Sequence, residues 1–138
     1  MITKTFDAKL DNLDEVLAFL ETELESHDAS MKVMMPISVC LEEMYVNVCH
    51  YAYEGISDMG YCTIDIDFEN DDVIITLTDS GIPFDPVKKA DPDISLSADE
   101  RNIGGLGILM VKKTMDSIFY IRENDKNVFT MRKKIKNV

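Results

Sequence analysis

The spacing of apolar residues along this chain changes between two periods, and each period predicts a kind of element. Residues 2–6 alternate loosely between apolar and polar, as a short strand does. Residues 13–27, and then 33 to about 53, carry apolar side chains at three- and four-residue steps, which predicts two helices with one buried face each. Residues that cap helices precede both stretches: Asn12 or Asp11, and Ser30.

Beyond Gly60 the period becomes two. Residues 62–68 alternate, residues 69–72 carry turn chemistry, and a β-branched run follows at 73–79, which together predict an antiparallel hairpin. Glycine and proline interrupt regular structure from Gly81 to about residue 103. A helix at 106–115 and strands at 118–122 and 128–135 complete the order. We therefore expect one domain over residues 1–138, an α+β sandwich of two layers with the helices on one face of a mostly antiparallel sheet.

Composition and charge narrow the function classes. The 138 residues are 46% hydrophobic and 29% charged, which is typical of a soluble globule. No signal peptide or bilayer-length apolar run is visible, so we expect a cytoplasmic protein with no membrane role. The net charge of −12 argues against direct nucleic-acid binding. The three cysteines, unpaired in spacing and set in apolar patterns, predict buried thiols rather than disulfides or a metal site.

Two places in the pattern put polar groups beside apolar stripes. Glu43 and Asn47 are four residues apart on the second helix, so they share a face, although such a pair taken alone is typical of a solvated helix surface. Asp79 is in phase with the apolar residues of its strand and therefore faces the core. A carboxylate there needs a hydrogen-bond donor. A ligand could supply it, or the carboxylate could cap the turn that Asp-Ser-Gly also predicts.

Glycines at two later places in the chain could also contact a ligand. Gly81 lies two residues after Asp79, where the absence of a Cβ would let a flat ring approach the backbone. Gly104-Gly105-Leu106-Gly107 opens into a helix, so backbone N–H groups and the helix dipole can face a phosphate. Each signal alone is weak, and their order along the chain adds to their weight.

In this order the motifs resemble those of the GHKL ATPase and kinase superfamily, specifically the anti-sigma factor serine kinases. Glu43-Met44-Tyr45-Val46-Asn47 resembles the N box, Asp79-Ser80-Gly81 with Pro83-Phe84-Asp85 the G1 box, and Gly104-Gly105-Leu106-Gly107-Ile108 the G2 box. The resemblance covers nearly the whole chain and implies the Bergerat fold.

The resemblance also implies a cofactor and roles. ATP with Mg²⁺ would bind, Asn47 would coordinate the Mg²⁺, Asp79 would accept a hydrogen bond from the adenine amino group, and Gly81 would make room for the ring. Gly104, Gly105, Leu106 and Gly107 would contact the phosphates, residues 87–103 would form a lid, and Glu43 would be the general base.

By the same resemblance the γ-phosphate would pass to a serine of an anti-anti-sigma partner of the STAS type. The protein would also sequester a sigma factor and could form a homodimer. The alternative is a nucleotide-dependent interaction switch without kinase activity. A histidine kinase catalytic domain ranks behind both, because no phosphoacceptor helix region is seen.

Three positions depart from the family pattern. Tyr51 stands where a histidine is usual, which leaves His50 outside the site. The G2 box lacks its basic residue, a charge that Arg101 or Lys112 could supply. Asn127 and the two residues before it replace the usual Gly-Thr near the adenine.

Overall fold

In the part of the chain that the structure describes, five strands form one antiparallel sheet in the order β1-β2-β3-β5-β4. The computed structural model describes residues 1–56, 60–87 and 105–136, with the backbone alone at 105 and 106. The strands span the following bounds: β1 Ile2–Asp7, β2 Tyr61–Glu69, β3 Asp72–Asp79, β4 Ser117–Glu123 and β5 Lys126–Lys134. The predicted hairpin of β2 and β3 is confirmed, with Ile64 opposite Leu77.

The α-helices of the described ranges lie on one face of this sheet: α1 Leu13–Ser26, α2 Met31–Asn47 and α3 Gly105–Thr114. A short 3-10 turn, Leu10–Asn12, precedes α1, and a π-helical turn, Val48–Ala52, continues α2. Ser30 caps α2 as expected, because its hydroxyl accepts a hydrogen bond from the Val33 N–H at 3.3 Å. Asn12 stands at the start of α1 but does not cap it, since its amide donates to the Asp7 carbonyl instead.

The core lies between the helices and the inner face of the sheet. Every second residue of β3 from Val73 to Asp79 is buried, which is the phase that the sequence predicts. Tyr45 of α2 is fully buried and donates its hydroxyl to the carbonyls of Asp7 and Lys9, so it ties the helix to the end of β1. The α+β two-layer sandwich expected from the sequence is confirmed.

The outer face of the sheet carries threonine and aspartate side chains. Thr63, Asp65 and Asp67 are all partly exposed there, opposite the buried face of β2. No helix in the described part of the chain is long and apolar enough to cross a membrane.

Candidate functional site

A cavity of about 300 Å³ opens between the end of α2 and the inner face of the sheet. Apolar side chains make most of its wall, among them Met44, Val48, Leu77, Ile82, Ile108 and Phe129. The polar groups on the wall are few, and they include Asn47, Asp79 and Asn127. An apolar cavity with a few convergent polar groups is the usual form of a small-molecule site.

Asp79 ends β3 and is only 6% exposed. Its Oδ1 accepts hydrogen bonds from the Gly81 N–H and from Asn127 Nδ2, both at 2.9 Å. No described residue donates to Oδ2, which leaves that oxygen as an acceptor for a ligand. Burial raises the pKa of Asp79, while the hydrogen bonds from Asn127 and Gly81 and the charge of Arg122 act in the opposite direction.

Asn127 lies directly across the sheet from Asp79 and is just as buried. Its Nδ2 also donates to the Ile82 carbonyl at 2.8 Å, and its Oδ1 accepts from the Tyr120 hydroxyl at 2.5 Å and from the Phe84 N–H at 3.3 Å. All four hydrogen-bonding positions of the amide are therefore used. Asn127 holds Oδ1 of Asp79 in one place and ties the loop after β3 to strands β4 and β5.

Sequence reasoning did not assign Asn127 to the site, although a signal was present. Asn127 is in phase with the buried Phe129 and Met131 of β5, just as Asp79 is in phase with the buried residues of β3. A strand predicted to begin at residue 128 cannot reveal this, because it leaves Asn127 in the turn.

Gly81 is packed against the end of the π-helical turn. The Ile82 N–H donates to the Ala52 carbonyl at 2.7 Å, and a Cβ on Gly81 would overlap that same carbonyl. The space that a side chain would need is thus filled by the backbone of Ala52, and Gly81 does not itself line the cavity. Glycine is required at this position because the chain passes so close to the Ala52 backbone. The sequence led us to expect a different reason, namely that a flat ligand ring approaches the backbone here.

The π-helical turn replaces the last α-helical turns expected up to residue 53. It brings Val48, Tyr51 and Ala52 onto the cavity wall and leaves His50 exposed. Single π-helical turns inside helices are common at functional sites. The widened turn therefore shapes the wall immediately after Asn47.

Asn47 and Glu43 project from the last turns of α2. Asn47 lines the cavity, and its Nδ2 is buried with no hydrogen-bond partner among the described residues. Such an unpaired buried amide is unusual in a folded protein. Half a turn about its last torsion exchanges nitrogen for oxygen, so the same position can offer a carbonyl oxygen, which is a ligand that Mg²⁺ accepts.

Glu43 does not line the cavity and lies beside it, against the first turn of α3. A Cβ on Gly107 would overlap Oε2 of Glu43 and would stand 3.1 Å from its carboxyl carbon. The glycine therefore lets α3 approach the carboxylate closely. Gly105 begins α3, so the positive end of that helix lies next to Ile108 on the cavity wall.

Of the other residues predicted to contact the phosphates or cover them, only some belong to the described part of the chain. Leu106 belongs to the first turn of α3. Gly104, Arg101 and nearly all of the expected lid at 87–103 lie outside the described residues. Lys112 lies in the last turn of α3 and does not line the cavity.

The side chains present fit a nucleotide with Mg²⁺. Apolar walls suit a flat base, Asp79 offers an oxygen to which no described residue donates, and the Asn47 amide, which has no partner among those residues, lines the same cavity as Ile108 near the start of α3. Among the described residues, no group of three or more His, Cys, Asp or Glu side chains could hold a metal by itself. A Mg²⁺ ion at Asn47 would therefore take its other ligands from phosphate oxygens and water.

A two-layer α+β sandwich with such a cavity defines a small-ligand-binding domain, and comparison with known proteins identifies its family. Residues 6–133 match the model of the histidine kinase-like ATPase domain. Because this match covers most of the chain, the protein belongs to the histidine kinase-like ATPase family, and its fold is the Bergerat sandwich. Membership in this family implies ATP binding. No curated protein matches the sequence.

Several solved structures share the fold. The RsbU and RsbW domains of Rv1364c from Mycobacterium tuberculosis match 98% of this chain with 14% identity and a TM-score of 0.67, and this chain spans only 33% of that solved chain. A chain of the SiaB-SiaC complex from Pseudomonas aeruginosa matches 96% of this chain and is itself 89% covered, with 13% identity and a TM-score of 0.57. The histidine kinase AdeS from Acinetobacter baumannii matches 99% of this chain and is 69% covered, with 16% identity and a TM-score of 0.51. At such identities these likenesses concern the fold.

Proposed function

We propose that this chain, as one domain over residues 1–138, binds Mg-ATP in the cavity and transfers the γ-phosphate to a serine of a small protein partner. The observation that supports this most directly is the pairing of two unsatisfied polar groups on one apolar cavity. Among the described residues, none donates to Oδ2 of Asp79 and none pairs with the buried Nδ2 of Asn47. A ligand with a donor at one end and a metal-bound phosphate at the other would satisfy both.

Binding would be divided between the two ends of the cavity. Asp79 Oδ2 would accept a hydrogen bond from the adenine amino group, and Asn127 would hold the carboxylate in place for it. Asn47 would hold Mg²⁺, which neutralises phosphate charge when bound. The backbone N–H groups at the start of α3, from Gly105 to Gly107, would face the phosphates.

Glu43 is the residue that we assign to proton transfer. The serine hydroxyl would attack the γ-phosphorus, the bond from that phosphorus to the bridging oxygen would break, and ADP would leave. The hydroxyl proton would pass to the carboxylate of Glu43, which lies against Gly107 at the phosphate end of the site. Phosphoryl transfer depends mainly on positioning and charge stabilisation by the protein, and in this proposal Asn47, the start of α3 and Glu43 would provide them.

The partners belong to the proposal as well. The phosphate acceptor would be an anti-anti-sigma protein of the STAS type, and the fold shared with an RsbW domain and with a chain of the SiaB-SiaC complex supports this part of the proposal. A sigma factor would be the sequestered partner. We place this exchange in the cytoplasm, where ATP is available, and include a homodimer in the proposal. Light scattering of the purified chain tests the dimer.

Titration calorimetry and phosphate transfer test the proposal in sequence. Wild-type protein should bind Mg-ATP, and binding should weaken when Mg²⁺ is chelated. Glu43→Gln should leave the Kd within about threefold and slow transfer to the partner by about a hundredfold or more, as loss of a general base does. Glu42→Gln, one residue earlier on the same helix, is the matched control and should transfer at the wild-type rate. Equal transfer by Glu43→Gln and wild type would remove the general-base assignment.

A second candidate is a nucleotide-dependent interaction switch without kinase activity. It is favoured by the position of Glu43, which is beside the cavity rather than on its wall. Labelled ATP separates the two functions when it is incubated with candidate partners. Phosphoserine on a partner supports the kinase, whereas partner binding that changes with nucleotide and leaves no phosphoserine supports the switch.

A further inference from the structure

A second, larger groove of about 670 Å³ lies at the opposite end of the molecule from the candidate nucleotide site. It is enclosed by the first turns of α2, the end of α3 and the end of β5. Lys32 on its wall is fifteen residues from Asn47 along α2, which is about 22 Å at the rise of an α-helix. The two sites are therefore separate.

The wall of this groove is strongly basic although the chain carries a net charge of −12. Among the described residues, four lysines line it: Lys32, Lys133, Lys134 and Lys136. Lys133 is paired with Asp116 at 3.2 Å. The other three lysines are exposed. No carboxylate of the described residues lies within ion-pair distance of them. Asp28 is the single acidic side chain among the lining residues of the described chain.

Apolar surface adjoins these charges. Val33 and Pro36 belong to the groove wall. Met35 and Val39 are 60% and 39% exposed, and they follow Lys32 and Pro36 by three residues each, so they neighbour the groove on the surface of α2. An exposed apolar strip beside unpaired charges marks an interaction surface more often than isolated apolar residues do.

We propose that this basic groove binds an acidic, amphipathic segment of a partner protein. Carboxylates of the segment would contact Lys32, Lys134 and Lys136, and its apolar residues would cover Met35 and Val39. Nucleic acid fits less well, because the acidic remainder of the surface would repel a long polyanion. A free phosphate would not use the apolar strip. This proposal does not depend on ATP binding or catalysis at the other end of the fold.

Peptide selection with matched charge variants tests the groove. Random peptides displayed on phage are selected on wild-type protein with saturating Mg-ATP present, and the recovered peptides are measured by fluorescence anisotropy. The groove variant is Lys134→Glu with Lys136→Glu. The control variant, Lys4→Glu with Lys9→Glu, makes the same change from −12 to −16 on exposed residues at the β1 side, three strands or about 14 Å from β5.

The recovered peptides should be acidic and contain apolar residues. Their Kd should rise about tenfold or more in the groove variant and less than about twofold in the control, because screening limits the reach of distant charges. Recovery of no peptide, or of peptides that bind both variants equally, would overturn the proposal. The groove would instead be a lipid site if no peptide is recovered and the wild-type protein sediments with phosphatidylglycerol vesicles while the groove variant does not.

Discussion

Replacing Asp79 with asparagine separates what its charge contributes to ligand binding from what it costs the fold. The asparagine Oδ1 can keep both hydrogen bonds that Asp79 Oδ1 now accepts, from the Gly81 N–H and from Asn127. The other oxygen becomes an NH₂ group, a donor facing the adenine amino group, which is also a donor. The variant therefore changes the ligand side of the residue and preserves the protein side.

The expected loss of affinity follows from the bond that is removed. A hydrogen bond to a charged group contributes about 1.5–3 kcal/mol, and the opposed donors place the loss in the upper part of that range. We expect the Kd for Mg-ATP to rise roughly 30- to 100-fold, since each 1.4 kcal/mol is a factor of ten. Calorimetry measures this directly. Asp65→Asn, on the outer face of the same sheet, removes the same charge and should bind ATP as wild type does.

The same substitution should make the free protein more stable at neutral pH. Because burial raises the folded-state pKa of Asp79, its contribution to stability is full below the unfolded value near 3.8 and is lost as the pH rises through the folded value. Asparagine has no such loss. The free energy of unfolding in urea should exceed that of wild type at pH 7, and the difference should shrink towards pH 4. A variant that binds ATP within about threefold of wild type would refute the adenine contact, and a difference that does not vary with pH would refute the buried-charge argument.

Three further substitutions test how the site is supported. Asn127→Ala should lower the free energy of unfolding by about 2–4 kcal/mol in urea, since it leaves several buried groups unpaired, and it should also weaken ATP binding. Gly81→Ala should lower the same free energy by about 1–3 kcal/mol through overlap with the Ala52 carbonyl, and an unchanged melting curve would contradict that contact. Gly107→Ala should displace the flexible carboxylate of Glu43, so phosphate transfer should slow about tenfold or more while the melting temperature stays level or rises, as alanine favours the helix. Transfer at the wild-type rate in Gly107→Ala would show that this approach does not matter.

The sequence predicts the elements of this fold well because most of them have one buried face. The alternation along β3 predicts that Asp79 faces the core, and Asp79 is buried in the structure. The same rule applied to β5 places Asn127 inside, but only if the strand is known to begin at Lys126. A boundary error of two residues therefore hides the main support of the site.

Other features depend on contacts between distant parts of the chain, which local patterns do not encode. An apolar stripe continues through Tyr51 whether the backbone is α-helical or π-helical, so the widened turn is invisible to periodicity. Gly81 meets Ala52 across 29 positions of sequence, and this contact, rather than a ligand, occupies the space beside the glycine. The basic groove likewise forms only when Lys32 and the end of β5 come together.

Polar groups of two kinds line the cavity. Asn127 is fully hydrogen-bonded and stabilises its surroundings, whereas the buried Nδ2 of Asn47 and Oδ2 of Asp79 have no hydrogen-bond partner among the described residues. The unused capacity of these groups opposes folding of the free protein, because unsatisfied buried polar groups and buried charge are costly. A ligand that satisfies both groups recovers that free energy only when it binds. Affinity for nucleotide and the stability of the domain are therefore coupled through the same two side chains, with Asn127 holding one of them in place.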